Sequence, residues 1–156
     1  MNNLHHYQLT LTWTGNTGKG TSSVLAYERS HTVSMPDKPD LFLTTDNAKV
    51  GDRTKHNPED LLVTALSSCH MMSYLYLCAL EGITITDYVD HATGTMVEEG
   101  DGGHFTEVVL NPEFYVASEA MVERAVELHH KAHEICYIAN SVNFPVITRP
   151  VCKVRS

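Results

Sequence analysis

"NPEDLLVTALSSCHMMSYLYLCALEG", residues 57–82, carries the start, the body and the stop of one long helix. Asn57 suits the N-cap, Pro58 the first helical position, and Glu59 and Asp60 the positive first turn. Gly82 supplies the stop. Between these ends Leu62, Ala65, Leu66, Cys69, Met72, Tyr76 and Leu80 recur at spacings of three and four, while the other faces also carry Leu, Met and Tyr. A helix apolar on most sides is expected to be buried, with protein all round it.

Upstream of the helix, residues 6–14 alternate and are rich in Thr, Leu and aromatics, which predicts a strand; "GNTGKG" then turns the chain into a hairpin. Residues 21–35 favour extended structure, "MPDKPD" marks a turn before the apolar patch "LFL" at 41–43, and a polar loop runs on to His56. Downstream, extended runs at 84–98 and 104–116 flank "EEGDGG", whose acids and glycines fit a hairpin connection. A second helix is predicted over 118–134, with Ser118 as N-cap and Met121, Val122, Ala125, Leu128 and Ala132 on its apolar stripe. A last strand lies in "PVITRPVCKV". Without regular alternation of strand and helix, this order predicts an α+β fold.

The 156 residues are expected to form a single domain spanning 1–156, with 42% apolar and 19% charged residues. A net charge of -8 argues against nucleic acid as a partner. The amino end lacks the positive flank and apolar run of a secretory signal, and no window is expected to be long enough to cross a bilayer, so no membrane partner and a cytoplasmic location are the expectations. Cys69, Cys78, Cys136 and Cys152 form no CxxC pair, which argues against a zinc ribbon or a thioredoxin-type motif. In a reducing compartment cysteines serve chemistry or packing.

Cys69 sits mid-helix, where it could be a small buried hydrophobe or a thiolate needing a nearby cation. Cys78 is about 180 degrees round the helix from it and Cys152 is on a terminal strand, so both are expected to be packing residues. On the second helix His129, His133 and Cys136 fall at about 0, 40 and -20 degrees, one narrow stripe. This stripe, with Cys69 or His70 as a fourth ligand, could hold zinc, or it could be a solvated polar face.

"NPEDLLVTALSSCH", followed by "AHEICYIANSV" with its cysteine 67 residues after the first, and preceded by "WTGNTGKG", resembles the OsmC/Ohr family of organic hydroperoxide reductases. The resemblance runs in order over nearly the whole chain. It implies an intertwined homodimer with antiparallel sheets around two long central helices and two active sites at the subunit interface. By the same resemblance Cys69 is peroxidatic, Cys136 is resolving, and Glu59 matches the glutamate of the "NPE" motif. It implies further that an external dithiol, lipoyl-type in part of the family, reduces the disulfide; no cofactor and no metal are expected.

On one straight helix Glu59 and Cys69 are about 15 Å apart along the axis, so if both serve one site, either the partner subunit supplies one of them or a loop carries the link. Glu59 could also be only an acidic helix cap. The chain departs from the family in two places. Tyr137 stands where proline commonly follows the second cysteine, and where the family places an arginine, in the loop before "NPE" or in the first hairpin, this chain has Lys49 at roughly the expected offset with Arg53 nearby, and Lys19 in the hairpin, so the cation is left open among Lys19, Lys49 and Arg53. Leu62, Leu66, Met71, Met72 and Tyr76 around the thiol favour organic hydroperoxides over hydrogen peroxide. The expected function is therefore a thiol-dependent peroxidase. The alternatives are a zinc-binding protein using His129, His133 and Cys136, or a non-catalytic ligand-binding stress protein.

Overall fold

Helix α1 runs over Pro58–Leu80 in the computed structural model, which describes residues 3–155. Its first turn is closed by a reciprocal capping box: the Asp60 N–H donates to Asn57 Oδ1 at 2.7 Å, and the Asp60 carboxylate accepts the Asn57 N–H at 3.4 Å. Its end is a Schellman motif. Gly82 takes φ 70°, and the Gly82 and Ile83 N–H groups donate to the Ala79 and Cys78 carbonyls at 3.3 and 2.8 Å. Buried Ile83 then packs into the same cluster as Cys78.

The chain divides into two compact units, Met1–Leu61 and Leu62–Ser156. The first holds a three-stranded antiparallel sheet in the order β1 (Thr10–Trp13), β2 (His31–Ser34), β3 (Leu41–Leu43). The predicted hairpin forms, since β1 and β2 pair antiparallel, but through a long connection, because β2 starts at His31 and Trp13 pairs with it. That connection is held closed by Thr14 N–H to the Ser30 carbonyl at 3.0 Å, Glu28 N–H to the Gly15 carbonyl at 2.9 Å, and Asn16 Oδ1 accepting from the Gly18 and Gly20 N–H groups.

In the second unit the three extended runs read from the sequence each break into two strands. They are β4 (Ile85–Asp90) and β5 (Thr93–Glu99), β6 (Gly102–Leu110) and β7 (Pro112–Val116), and β8 (Val146–Thr148) and β9 (Val151–Val154). The breaks coincide, giving two sheets of order β4-β7-β9 and β5-β6-β8. At the corner the Asn111 N–H donates to Asp90 Oδ1 at 2.7 Å, Asn111 Nδ2 to the His91 carbonyl at 2.9 Å, and the Arg149 N–H to the Leu110 carbonyl at 2.8 Å. Pro112 and Pro150 adjoin the same corner, where a missing N–H removes a ladder bond.

The α+β class stands, but the expectation of wholly antiparallel sheets does not. Strand β8 pairs parallel with β6, and β9 parallel with β7. The reason is topological: a helical crossover intervenes between β7 and β8, and such a connection returns the chain in parallel. That crossover is a 3₁₀ turn at Glu119–Met121 leading into α2 (Val122–Ile135). Ser118 therefore precedes the 3₁₀ turn and makes no side-chain capping bond, while Met121 occupies the N-cap of α2.

Two apolar clusters hold this unit. Tyr74, Cys78, Ile83, Phe114, Val116, Ala125, Leu128 and Ala132 join α1, β7 and α2, whereas Leu66, Val108 and Leu110 form a second cluster under Phe105, Ile138 and Phe144. Full burial of a side chain such as Phe114 or Leu128 contributes about 1.5–3 kcal/mol. Along α1 the buried residues are Leu66, His70, Tyr74 and Cys78, a single i, i+4 stripe. Two residues away, about 200° round the helix, Thr64, Ser68, Met72, Tyr76 and Leu80 are all exposed.

The expectation of a helix covered on every side thus holds for one stripe of the single chain. By length and composition α1 also meets the criterion for a membrane-crossing segment, with an 18-residue window of mean hydropathy 1.4. That corrects the expectation that no window is long enough. The apolarity has a packing use on the Leu66–Cys78 stripe and leaves a second apolar face open.

Candidate functional site

Cys69 and Cys136 come together in the second unit. Cys69 lies half-buried midway along α1, and Cys136 is the buried C-cap of α2; both thiols are free. The Cys69 side chain neighbours the Cys136 thiol. Burial, and then that neighbouring Cys69 side chain, push the Cys136 thiol up to about 11, against a smaller opposing effect of the Ala139 N–H, which donates to its Sγ at 3.4 Å. Cys136 is therefore a protonated thiol throughout the neutral range, beside a second thiol. Cys78 and Cys152 are packing residues as expected, Cys78 buried in the cluster with Tyr74 and Cys152 packed against it.

The histidines beside these thiols supply no positive charge to them from His70 or His129. His70 follows Cys69 on α1, and its Nε2 lies 2.9 Å from His129 Nδ1 on α2, in a buried hydrogen bond in which one ring donates and the other accepts. The His129 ring also stacks on Tyr74 with centroids 3.8 Å apart and tilts against Phe114 at 5.1 Å. Burial drives His70 down to about 4 and His129 down to about 3, with the neighbouring histidines adding repulsion. Both rings are neutral at neutral pH.

The metal-capable stripe does not assemble as a ligand set. His129 follows Ala125 and Leu128 into the core and commits its Nδ1 to His70, while His133 is only half-buried. Among the described residues no three metal-ligating side chains converge.

Glu59 occupies a pocket in the first unit. Capping of α1 falls to Asn57 and Asp60, so Glu59 is free of that duty, and its buried Oε2 has no hydrogen-bond partner among the described residues. The pocket, about 430 Å³, is walled by Leu11, Trp13 and Tyr27 and also lined by Arg29 and His31. None of Lys19, Lys49 and Arg53 lines it. The cation of this pocket is Arg29, which sequence reading passed over. A signal for it was present: in the extended approach to β2, Tyr27, Arg29 and His31 fall on one face at period two. The apolar residues gathered from the sequence around Cys69 are not one lining, since Leu66 is in the core and Met72 and Tyr76 are exposed.

Residues 51–149 match the family model described as OsmC-like protein. The chain belongs to the OsmC-like family. Among solved structures, the fold matches an OsmC-like protein of unknown function from Vibrio cholerae O1 biovar eltor str. N16961, with 27% identity, TM-score 0.85, and coverage of 95% of this chain and 100% of that one. It also matches an organic hydroperoxide resistance protein OsmC from Legionella pneumophila, with 18% identity, TM-score 0.67, and 97% and 100% coverage. A third is an organic hydroperoxide resistance protein from Elizabethkingia anophelis with thiocyanate bound, with 18% identity, TM-score 0.67, and 99% and 100% coverage. Among curated proteins none matches this sequence.

In this OsmC-like chain the matched stretch contains Glu59, Cys69 and Cys136, whereas Arg29 lies before it. The Tyr137 departure is also explained locally. A following proline would confine Cys136 to extended or polyproline backbone, and Cys136 already sits at φ -72°, ψ 110°. Hydrogen bonds hold it there: Asn140 N–H to the Cys136 carbonyl at 3.0 Å, Asn140 Nδ2 to the Glu134 carbonyl at 2.9 Å, and Ser141 Oγ to the Tyr137 carbonyl at 2.7 Å. The Tyr137 side chain itself is exposed.

Proposed function

We propose that this protein is a thiol-dependent peroxidase that reduces organic hydroperoxides to alcohols, with Cys69 peroxidatic and Cys136 resolving. The observation that carries the reading is the pair of neighbouring free thiols in an OsmC-like fold, one of them held protonated. The Cys69 thiolate attacks the terminal peroxide oxygen; a sulfur–oxygen bond forms, the oxygen–oxygen bond breaks, and the departing alkoxide takes a proton to become the alcohol. Cys69 is now a sulfenic acid. The Cys136 thiol then attacks the Cys69 sulfur, the disulfide forms, and the hydroxyl leaves with the Cys136 proton as water. An external dithiol, of lipoyl type, restores both thiols by two exchange steps and is itself oxidised.

A raised Cys136 protects the first step, because a resolving thiol held protonated does not compete as thiolate for the peroxide; in the second step its proton leaves with the sulfenic hydroxyl as water. Glu59 and Arg29 serve the first step, the carboxylate accepting the hydroperoxide O–H and the guanidinium holding anionic oxygen or sulfur. The aromatic and aliphatic wall around them favours an organic substrate over hydrogen peroxide. The protein works as a homodimer, which the open Met72, Tyr76 and Leu80 face of α1 supports, at 60%, 60% and 65% exposure. In that dimer the partner subunit completes each site. A reducing cytoplasm suits the four free thiols.

The test is to treat reduced protein with one equivalent of cumene hydroperoxide, count thiols and map new bonds by peptide mass. Loss of two thiols with a Cys69–Cys136 disulfide is expected. Four unchanged thiols would overturn the reading.

A further inference from the structure

We infer that Tyr27 is a positioning residue that holds the Arg29 guanidinium ready for an anion, an inference that rests on the role proposed above for Arg29. An arginine stem has many rotamers, and a free one must be ordered before it can stabilise charge. Arg29 is ordered in advance. Its Cζ lies 4.1 Å from the centroid of the Tyr27 ring, and its Nη1 donates to the Tyr27 carbonyl at 2.8 Å. Stacking on a ring face leaves the in-plane N–H donors of a guanidinium directed outward, and among the described residues only one of its five is used.

The ring is itself buttressed. Trp13 meets Tyr27 edge-on, with centroids 5.6 Å apart and planes at 88°, and Trp13 Nε1 donates to the Glu28 carbonyl at 2.9 Å. On the other side His31 Nδ1 lies 2.9 Å from the Arg29 carbonyl, closing the segment toward β2. The Glu28 carbonyl comes so close to Gly15 that a Cβ there would overlap it, so the backbone of this segment is seated against the β1 turn. All of this borders the pocket in which Glu59 Oε2 lacks a partner. The stack Trp13–Tyr27–Arg29 thus has no ion pair to explain it: no carboxylate lies within ion-pairing distance of Arg29 among the described residues.

The test follows the first chemical step alone, the single-turnover oxidation of Cys69 by cumene hydroperoxide, against pH. Tyr27→Leu is expected to slow it by about 2- to 30-fold and to move its pH midpoint upward, with Tyr27→Phe restoring both. Phenylalanines carrying successive ring fluorines at position 27 keep the shape and withdraw the ring charge, so the rate should fall stepwise along the series; this arm stands if Tyr27→Leu fails to fold. A flat fluorine series would overturn the inference. If Arg29→Ala is slow while the series is flat, Tyr27 is not the positioning residue and the peroxidase reading survives. If Arg29→Ala reacts as the wild type, the role of Arg29 falls and this inference with it.

Discussion

Acidification from pH 7 to pH 5 should cost this fold about 4 kcal/mol through two side chains, His70 and His129. Each titrates near 6.5 in an unfolded chain, and burial holds them at about 4 and about 3 in the folded one. Only 1% and 3% of these residues is exposed, Tyr74, Phe114 and each other's rings pack on them, and among the described residues the charges acting on them are histidines, not carboxylates. Because the folded values are depressed, the unfolded chain binds more protons wherever the pH lies below about 6.5 and above the folded value. The contribution is whole above 6.5 and is lost as the pH falls. At pH 5 the unfolded chain has taken up nearly one proton at each site and the folded chain almost none, so each histidine costs about 2 kcal/mol, and the slope near pH 5 approaches about 2.7 kcal/mol per pH unit.

The size of this loss depends little on how far below 5 the folded values lie. The lowered carboxylates, Asp52, Glu81, Glu113 and Glu134, begin to lose their contribution as the pH falls into the range in which free carboxylates titrate, at the foot of this window and below it, so they add little between pH 7 and pH 5. Guanidinium unfolding of reduced protein at fixed concentration, followed by circular dichroism from pH 7 to pH 5, measures the slope. A His70→Phe/His129→Phe double variant keeps the stacking on Tyr74 and removes both titrations, and its slope should flatten. A wild-type slope of less than about one proton between pH 6 and pH 5, or an equal slope in the double variant, would refute the reasoning.

Cys136→Ser should still consume one equivalent of hydroperoxide but leave a sulfenic acid on Cys69 that dimedone traps, with turnover lost; a variant that turns over normally would assign resolution elsewhere. Gly82→Ala forces a Cβ into φ 70° at the end of α1 and should cost about 1–2 kcal/mol, read from denaturant unfolding. Tyr76→Asp puts a charge in the middle of the exposed stripe of α1 and should shift light-scattering mass from dimer to monomer; an unchanged mass would remove that face from the interface.

The ends of α1 were legible because their causes are local: Asn57, Asp60 and Gly82 act on backbone groups within a few residues of themselves. The splitting of the long strands was not. The corner at Asp90, Asn111 and Arg149 depends on hydrogen bonds between residues 21 to 39 positions apart. Helical angles correctly put His129, His133 and Cys136 on one stripe, but they did not say which way the stripe faced. Ala125, Leu128 and Ala132 decide that, by turning the His129 end inward. That Cys69 and Cys136 lie side by side was legible only through family resemblance, since nothing local in either helix specifies the other.

With Arg29 the information missing from the thiol-bearing helices is a charge. From Leu61 to Leu80 α1 carries no lysine or arginine, and on α2 both are already paired, Arg124 with Glu81 and Glu127 at 2.6 and 2.8 Å and Lys131 with Glu134 at 2.8 Å. With His70 and His129 neutral, the two helices that bear the thiols hold little positive charge with which to draw a proton from Cys69. A peroxidatic thiolate in this protein therefore requires a cation from outside those helices. Arg29, stacked on Tyr27 in a pocket that also holds an unpartnered carboxylate, is the cation proposed above for that role. Its requirement makes a single measurement decisive for the arrangement: mixing Arg29→Ala subunits with Cys69→Ser subunits should restore first-step reactivity in the heterodimer if each site draws its arginine from the partner. No restoration, with both parents inactive and heterodimer formation verified, would place both residues of a site on the same chain.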